Sequence, residues 1–303
     1  MRKLFIIIVT YNGASWIERC LDSCRGYEVI IVDNKSTDAT VRIIKKNYPG
    51  LILLEQNENL GFGQANNIAI RYALNQDADH VFLLNQDAYL LKPVLENLTA
   101  FQIQNPQYGI LSPIHVTGDQ KKLDKNFSNY MLREYTGAFY SDFVLRNNLP
   151  PVYDVPFVNA AAWLISKSCL ETVGGFDPLF FHYGEDNNYC QRILFHGFKL
   201  GVLPESFVIH DRDERARMKI TAFSSEYYAN IEKKTKVIFA NVNAQKTLDL
   251  KIAKLKKTIL KFQLKIKFNQ AANYKKELAV IMKIKPIIEA SLRINKKKGP
   301  HYL

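Results

Sequence analysis

No stretch of this 303-residue chain stays apolar for the ~18–20 residues that a membrane-crossing helix needs. The first apolar run, Leu4 to Val9, is too short for the core of a secretory signal. It leads into a turn rather than a small-residue cleavage site, so it reads as a strand. Cysteine is scarce. Cys20, Cys24, Cys169 and Cys190 show no zinc or redox spacing and read as buried thiols in a reducing compartment, with a disulfide or metal site as the lesser alternative. The chain is expected to be cytoplasmic. Internal repeats are absent, which excludes a solenoid or propeller. Acidic residues are nearly missing from the last fifth. Residues 246–303 hold 16 Lys/Arg against 3 Asp/Glu, so the totals of 41 and 29 leave 25 and 26 for residues 1–245. The body is close to neutral, and the net charge of +12 belongs to the tail. Any argument for a nucleic acid or a membrane must therefore be made there.

What is present is an alternation of strands and helices. Leu4–Thr10 reads as a strand, residues 14–24 as a helix, and Glu28–Asp33 as a second strand ending at an acid. Ser36-Thr37-Asp38 caps a helix carrying Val41, Ile43 and Ile44. Residues 51–54 and 81–84 read as two more strands, with a helix from Gly61 through Leu74 between them. This pitch implies an α/β fold, a Rossmann-like and mostly parallel sheet with helices on both faces. Residues 113–156 have weak periodicity and read as loops with an antiparallel excursion. Residues 157–166 read as a buried strand, 167–173 as a short helix ended by Gly174-Gly175, and 199–202 and 207–209 as further strands.

In the tail, Leu248, Ile252, Leu255, Ile259, Phe262 and Ile266 recur at spacings of 4 and 3, a seam on one helix face. Lys251, Lys256 and Lys265 flank it, which disfavours a homodimeric coiled coil because lysine would face lysine. Pro286 is expected to interrupt a second helical stretch that starts near Tyr274. The chain thus divides into a domain of residues 1–245 and a basic amphipathic extension of residues 246–303. No nucleic-acid partner is expected, since the lysines alternate with Leu and Ile rather than with exposed aromatic rings. Two roles stay open for the extension: lying on an anionic membrane, or packing on the domain with its lysines in solvent.

In such sheets ligands gather at the carboxyl ends of the strands. Three of those ends are polar here: Thr10-Tyr11-Asn12, Asp33-Asn34 and Asn85-Gln86-Asp87. Asp87 suits a hard cation that shares its shell with a diphosphate, or else it caps the helix near Pro93 or closes a turn. Asp33 suits a base or ribose, or else closes a turn. Tyr11 can stack on a base or simply pack. Gly61-Phe62-Gly63 allows close approach of the backbone at a helix start. Glu185 and Asp186 follow Gly184 at another helix start, where negative charge is favoured in any case. The sharper reading makes Asp186 a base facing an incoming hydroxyl, with Glu185 orienting it. His210, at a strand end, is a third candidate around a metal. Arg212, Arg215, Arg217 and Lys219 follow it and either fold over a diphosphate or form a solvated run.

The ordered set of Ile8-Val9-Thr10-Tyr11-Asn12, Val32-Asp33-Asn34-Lys35-Ser36-Thr37-Asp38, Asn57-Glu58-Asn59-Leu60-Gly61-Phe62-Gly63, Leu84-Asn85-Gln86-Asp87-Ala88, Gly174-Gly175-Phe176-Asp177, Tyr183-Gly184-Glu185-Asp186 and His210 resembles family-2 glycosyltransferases of the GT-A fold, within them the rhamnosyltransferase-like bacterial group. The resemblance covers residues 4–210. It implies an inverting hexosyl- or deoxyhexosyl-transferase that uses a nucleoside-diphosphate sugar and a divalent cation, Mn2+ or Mg2+. The acceptor would be a saccharide, free or lipid-linked, in surface polysaccharide synthesis, and the chain would sit peripherally on the inner face of the plasma membrane. It further implies that Thr10, Tyr11, Asn12, Asp33, Gly61, Asn85, Gln86 and Arg212 serve the nucleotide sugar. Asp87 and His210 would bind the metal, and Asp186 would be the base. In two places the chain departs from the pattern. Asn85 stands where the common form has a first acid, and Asn159-Ala160-Ala161-Ala162 replaces a glycine-rich acceptor loop. The alternative, a sugar nucleotidyltransferase, wants a basic glycine-rich loop after the first strand, where Tyr11-Asn12-Gly13-Ala14-Ser15-Trp16 has no basic residue.

Overall fold

The computed structural model describes residues 2–131, 136, 138–211, 220–245 and 247–303. In chain order the elements begin with β1 (Leu4–Thr10), α1 (Ile17–Ser23), β2 (Glu28–Asp33), α2 (Thr40–Asn47), β3 (Ile52–Glu55), α3 (Gly61–Asn75), β4 (His80–Asn85) and β5 (Ala88–Leu90). They continue with α4 (Val94–Gln104), β6 (Tyr108–Val116), α5 (Lys125–Met131), α6 (Ala138–Leu145), β7 (Tyr153–Asp154), β8 (Ala162–Ser166), α7 (Lys167–Val173) and α8 (Glu185–Phe195). The last are β9 (Lys199–His210), α9 (Ser225–Phe239), α10 (Leu248–Leu264) and α11 (Phe268–Asn295).

The strands form one sheet in the order β3-β2-β1-β4-β8-β6-β9-β5, with β7 paired to β9. β1 pairs in parallel with both β2 and β4, so Thr10 lies beside Asp33 and Val9 beside Asn85. Ile6, Ile7 and Ile8 are fully buried because helices cover both faces. Beyond β4 the sheet changes direction: β8 runs antiparallel to β4 and β6, while β6 and β9 are parallel.

Four expectations need correction. Residues 157–166 are not one strand. Only Ala162–Ser166 is, and before it the chain is a loop pinned by Asn85 N–H donating to the Ala161 carbonyl at 3.0 Å. Lys199–His210 is a single strand, bulged where its pairing steps from Leu203 to Phe207 opposite Pro113 and Ile114. The weakly periodic segment contains the end of β6, a fully buried strand, and two short helices besides the antiparallel β7. Pro286 does not end a helix. α11 starts at Phe268 and runs through it for 28 residues. The proline removes one hydrogen bond, but Ile281, Ile284 and Ile288 on either side are buried in a shared apolar cluster that holds the helix together.

That second cluster joins Leu248, Ile252 and Leu255 of α10 to α11 and to Leu179 and Phe180 of the segment before α8. α11 is also anchored by hydrogen bonds. Ser291 and Asn295 both donate to the Asp177 carboxylate, and Gly175 N–H donates to the His301 carbonyl at 2.8 Å. No helix among the described residues is long and apolar enough to cross a membrane.

Candidate active site

The β1–α1 turn is built from side chains that grip backbone. Asn12, in the left-handed region at φ 49°, accepts from Thr37 N–H at 2.8 Å and donates its own N–H to Ser36 Oγ at 2.9 Å. Asp38 accepts from Ala14 N–H at 3.1 Å and from Thr40 N–H at 3.0 Å, and the Thr40 hydroxyl bond helps hold its carboxyl below the usual range despite the opposing effect of burial. Gln86 accepts from the Thr10 hydroxyl at 2.6 Å and from Tyr11 N–H at 3.0 Å. Thr10, Asn12 and Gln86 therefore shape the pocket wall, and the group left facing solvent is the Tyr11 ring, 47% exposed. Beside it, Asp33 is buried. Its Oδ2 accepts from Ser36 N–H at 2.9 Å, while Oδ1 has no hydrogen-bond partner among the described residues. A buried carboxylate oxygen without a donor suits an N–H or O–H from a ligand.

Asp87 lies in the turn between β4 and β5, before α4 begins at Val94. Pairing of β5 with β9 places Ala88 opposite His210, and Asp211 N–H donates to the Asp87 carbonyl at 2.8 Å. His210 Nε2 is thereby 3.6 Å from Asp87 Oδ1, and its Nδ1 is 3.5 Å from Asp124 Oδ2. The imidazole and Asp124 are buried while Asp87 is half-buried. A carboxylate oxygen and an imidazole nitrogen this far apart can reach one Mn2+ or Mg2+, so the residues fit a divalent cation. No cluster of three ligating side chains exists among the described residues, so phosphate oxygens or water would have to fill the remaining positions. Asp124 was not foreseen. It packs behind His210, whose Nδ1 has no hydrogen-bond partner among the described residues. No sequence spacing joins residues 124 and 210; Asp124 N–H donates to the His115 carbonyl of β6, and β6 pairs with β9. Asn85 bonds through its backbone to the Ala161 carbonyl, and Arg212, Arg215, Arg217 and Lys219 lie outside the described residues.

Glu185 and Asp186 open α8 after two residues with positive φ, Tyr183 at 64° and Gly184 at 105°. Burial raises the Asp186 carboxyl, with Asn187 N–H donating to it at 2.8 Å and partly offsetting that rise. Burial first, and then the neighbouring Asp186, pushes Glu185 up to about 7. Its Oε2 has no partner among the described residues. Lys233 of α9 lies 4.3 Å from the centre of the exposed Tyr183 ring, and its charge favours the ionised form of both acids.

The nucleotide side and the acid pair meet through α3. Asn34 donates to the Gly61 carbonyl at 3.1 Å. A methyl group at Gly61 would overlap the Phe181 carbonyl oxygen, and one at Gly63 would come within 3.7 Å of Glu185 Cβ. Gly61 is thus buried beneath the Phe181 turn, where its missing side chain permits the contact.

A family model described as "Glycosyl transferase family 2" matches residues 5–174. The chain belongs to glycosyl transferase family 2. Rhamnosyltransferase WbbL of Escherichia coli (strain K12) is similar to this glycosyltransferase, 26% identical over 227 residues, which cover 68% of this chain and 83% of the relative. N-acetylglucosaminyl-diphospho-decaprenol L-rhamnosyltransferase of Mycobacterium tuberculosis (strain ATCC 25618 / H37Rv) is 27% identical over 231 residues, covering 68% and 75%. Among solved structures, S. aureus TarS 1–349 in complex with UDP-GlcNAc superposes with a TM-score of 0.57 at 16% identity, covering 97% of this chain and 88% of that one. Mannosyltransferase PcManGT from Pyrobaculum calidifontis in complex with GDP-Man and Mn2+ gives 0.55 at 19% identity, covering 97% and 74%. The glycosyltransferase fold of this chain is GT-A.

Proposed function

We propose that this glycosyltransferase moves a hexosyl or deoxyhexosyl group from a nucleoside-diphosphate sugar to a hydroxyl of a saccharide acceptor, with inversion at the anomeric carbon. Asp33 Oδ1 and the Tyr11 face take the nucleoside. A divalent cation held by Asp87 and His210 would supply charge neutralisation at the diphosphate. Asp186 takes the proton from the acceptor hydroxyl as that oxygen bonds to the anomeric carbon, and the bond from that carbon to the diphosphate oxygen breaks with its electron pair on the leaving group. Burial raises the proton affinity of Asp186 and so strengthens it as a base. Glu185, pushed to about 7, holds a proton through part of the neutral range and relieves repulsion within the pair.

The observation that supports this reading is the placement of Asp33 beside Thr10 and of Asp87 next to Gln86, which clamps Tyr11, with Gly61 of α3 packed against the Phe181 turn that precedes Glu185 and Asp186. The relatives named for rhamnose and for a decaprenol-linked acceptor favour a deoxyhexose and a lipid-linked saccharide in surface polysaccharide synthesis. A lipid-linked acceptor would be met on the inner face of the plasma membrane, which supports a peripheral location with residues 246–303 as the contact. Asp186→Asn is expected to lower transfer at least ~10³-fold while leaving nucleotide affinity within about twofold. Isothermal titration with UDP, dTDP and GDP beside a transfer assay checks this, and loss of nucleotide binding together with transfer counts against the assigned base.

A further inference from the structure

The peripheral contact can be narrowed, because the apolar seam of α10 is already used. Leu248, Ile252, Leu255 and Ile259 are buried, the first three in the cluster shared with α11. That face cannot lie on a bilayer. Leu250, Met282, Ile287 and Ile294 are exposed singly, whereas the turn joining α10 to α11 exposes three apolar side chains within five residues. Leu264 is 76% exposed, Ile266 76% and Phe268 63%, and Lys265 and Lys267 alternate with them. Leu260, one helical turn back, is exposed as well. From Lys254 to Lys276 the chain carries eight lysines and no Asp or Glu. The extension's acids are elsewhere: Asp249 and Glu289 pair with Lys285, and Glu277 is buried near Tyr227.

We propose that this turn is a docking tip for an anionic phospholipid bilayer. Leu264, Ile266 and Phe268 enter the boundary between headgroups and acyl chains, while the lysines meet lipid phosphates. Apolar insertion and a basic collar are two signals that reinforce each other where one alone is marginal. Charge complementarity selects this occupant. A second copy of the tip would set lysine against lysine. A nucleic acid would want several aromatic platforms, but Phe262 and Tyr274 stack on each other at 5.4 Å with an interplanar angle of 9°. The tip is tied to the catalytic side through α9. Tyr228 donates to the Asn273 carbonyl at 3.1 Å, and the same helix carries Lys233 over Tyr183.

The proposal rests on the peripheral placement given above and names its contact. The full chain is sedimented with vesicles of phosphatidylcholine plus phosphatidylglycerol, and with phosphatidylcholine alone. Wild type is expected to pellet with the anionic vesicles only, and less so as salt rises. The combined change Leu264→Asp, Ile266→Asp and Phe268→Asp is expected to weaken that binding at least ~10-fold, with unchanged hydrolysis of the donor confirming an intact fold. Ile266→Cys carrying an environment-sensitive dye is expected to shift its emission to the blue on anionic vesicles; the native thiols are buried and escape labelling. A wild-type chain that never pellets removes the membrane placement and the tip together. A triple variant that pellets like wild type, or a dye whose emission does not move, overturns the tip alone. A dimer that becomes a monomer in the triple variant, with vesicle binding unchanged, assigns the surface to a second copy and also overturns it.

Discussion

In the β3-β2-β1-β4 half of the sheet every pair is parallel, and successive strands are joined by a helix from the intervening sequence. In the β8-β6-β9-β5 half the directions are mixed, and neighbouring strands come from residues 88 to 210 in scrambled order. The first half carries Tyr11 and Asp33, and its turns are cross-braced several times over, by Asn12, Asp38 and Gln86. The second half carries the acid pair and leans on single buried clips. Asn67 both donates to the Phe176 carbonyl and accepts from its N–H. Arg192, fully buried, donates to the carbonyls of Gly175 and Val173. Bonds from three separate side chains make the turns of the first half tolerant of change. Reliance on two buried residues makes the second half sensitive to it.

Arg192→Ala should test that contrast most severely. It strips two backbone carbonyls of a charged donor and leaves a cavity, which should cost about 3–5 kcal/mol in urea unfolding. A loss below about 1 kcal/mol would mean that the second half is braced elsewhere. Glu185 offers a slightly smaller effect with a distinctive pH signature. Its folded value of about 7 exceeds the ordinary 4.5, so between those values the folded state keeps a proton that the unfolded chain has released. Stability should therefore fall as pH rises across that window, by about 3 kcal/mol, and Glu185→Gln should flatten the slope. Unfolding curves at both ends of the window decide; an unaltered slope in the variant would assign the pH dependence to other groups. Asp124→Ala is expected to act least on stability and most on the metal. The Mn2+ concentration for half-saturation, read by electron paramagnetic resonance, should rise ~10–100-fold. Nucleotide affinity without metal should not change, and an unmoved Mn2+ titration would reduce Asp124 to the α5 cap it forms with Phe127 N–H.

The same contrast explains what the sequence disclosed. β1, β2 and β4 are short β-branched or leucine-rich runs that end in polar residues, and their register follows from local crossovers, so Asp33 and Asp87 could be placed at one edge. β6 was hidden because it buries Ser112, Pro113 and His115. Ser112 and His115 satisfy each other at 3.1 Å, and Pro113 sits at a bulge. β9 read as two strands because Pro204 and Glu205 interrupt its apolar pattern. Of the candidate residues, Asp87 and His210 are brought within reach of one ion, and Glu185 and Asp186 share a helix start. Thr10 and Gln86 turn toward each other, which single positions could not disclose because the bond spans 76 residues. The seam of α10 was legible as a pattern, but a pattern of spacing does not say whether protein or lipid covers it; the second apolar cluster does.

Gly61 sits at the seam between the two halves, at φ 77° and hard against the Phe181 carbonyl. There is no room for even a methyl group between the start of α3 and the Phe181 turn. A side chain at position 61 would therefore have to push the Phe181 turn, and with it the start of α8, away from α3.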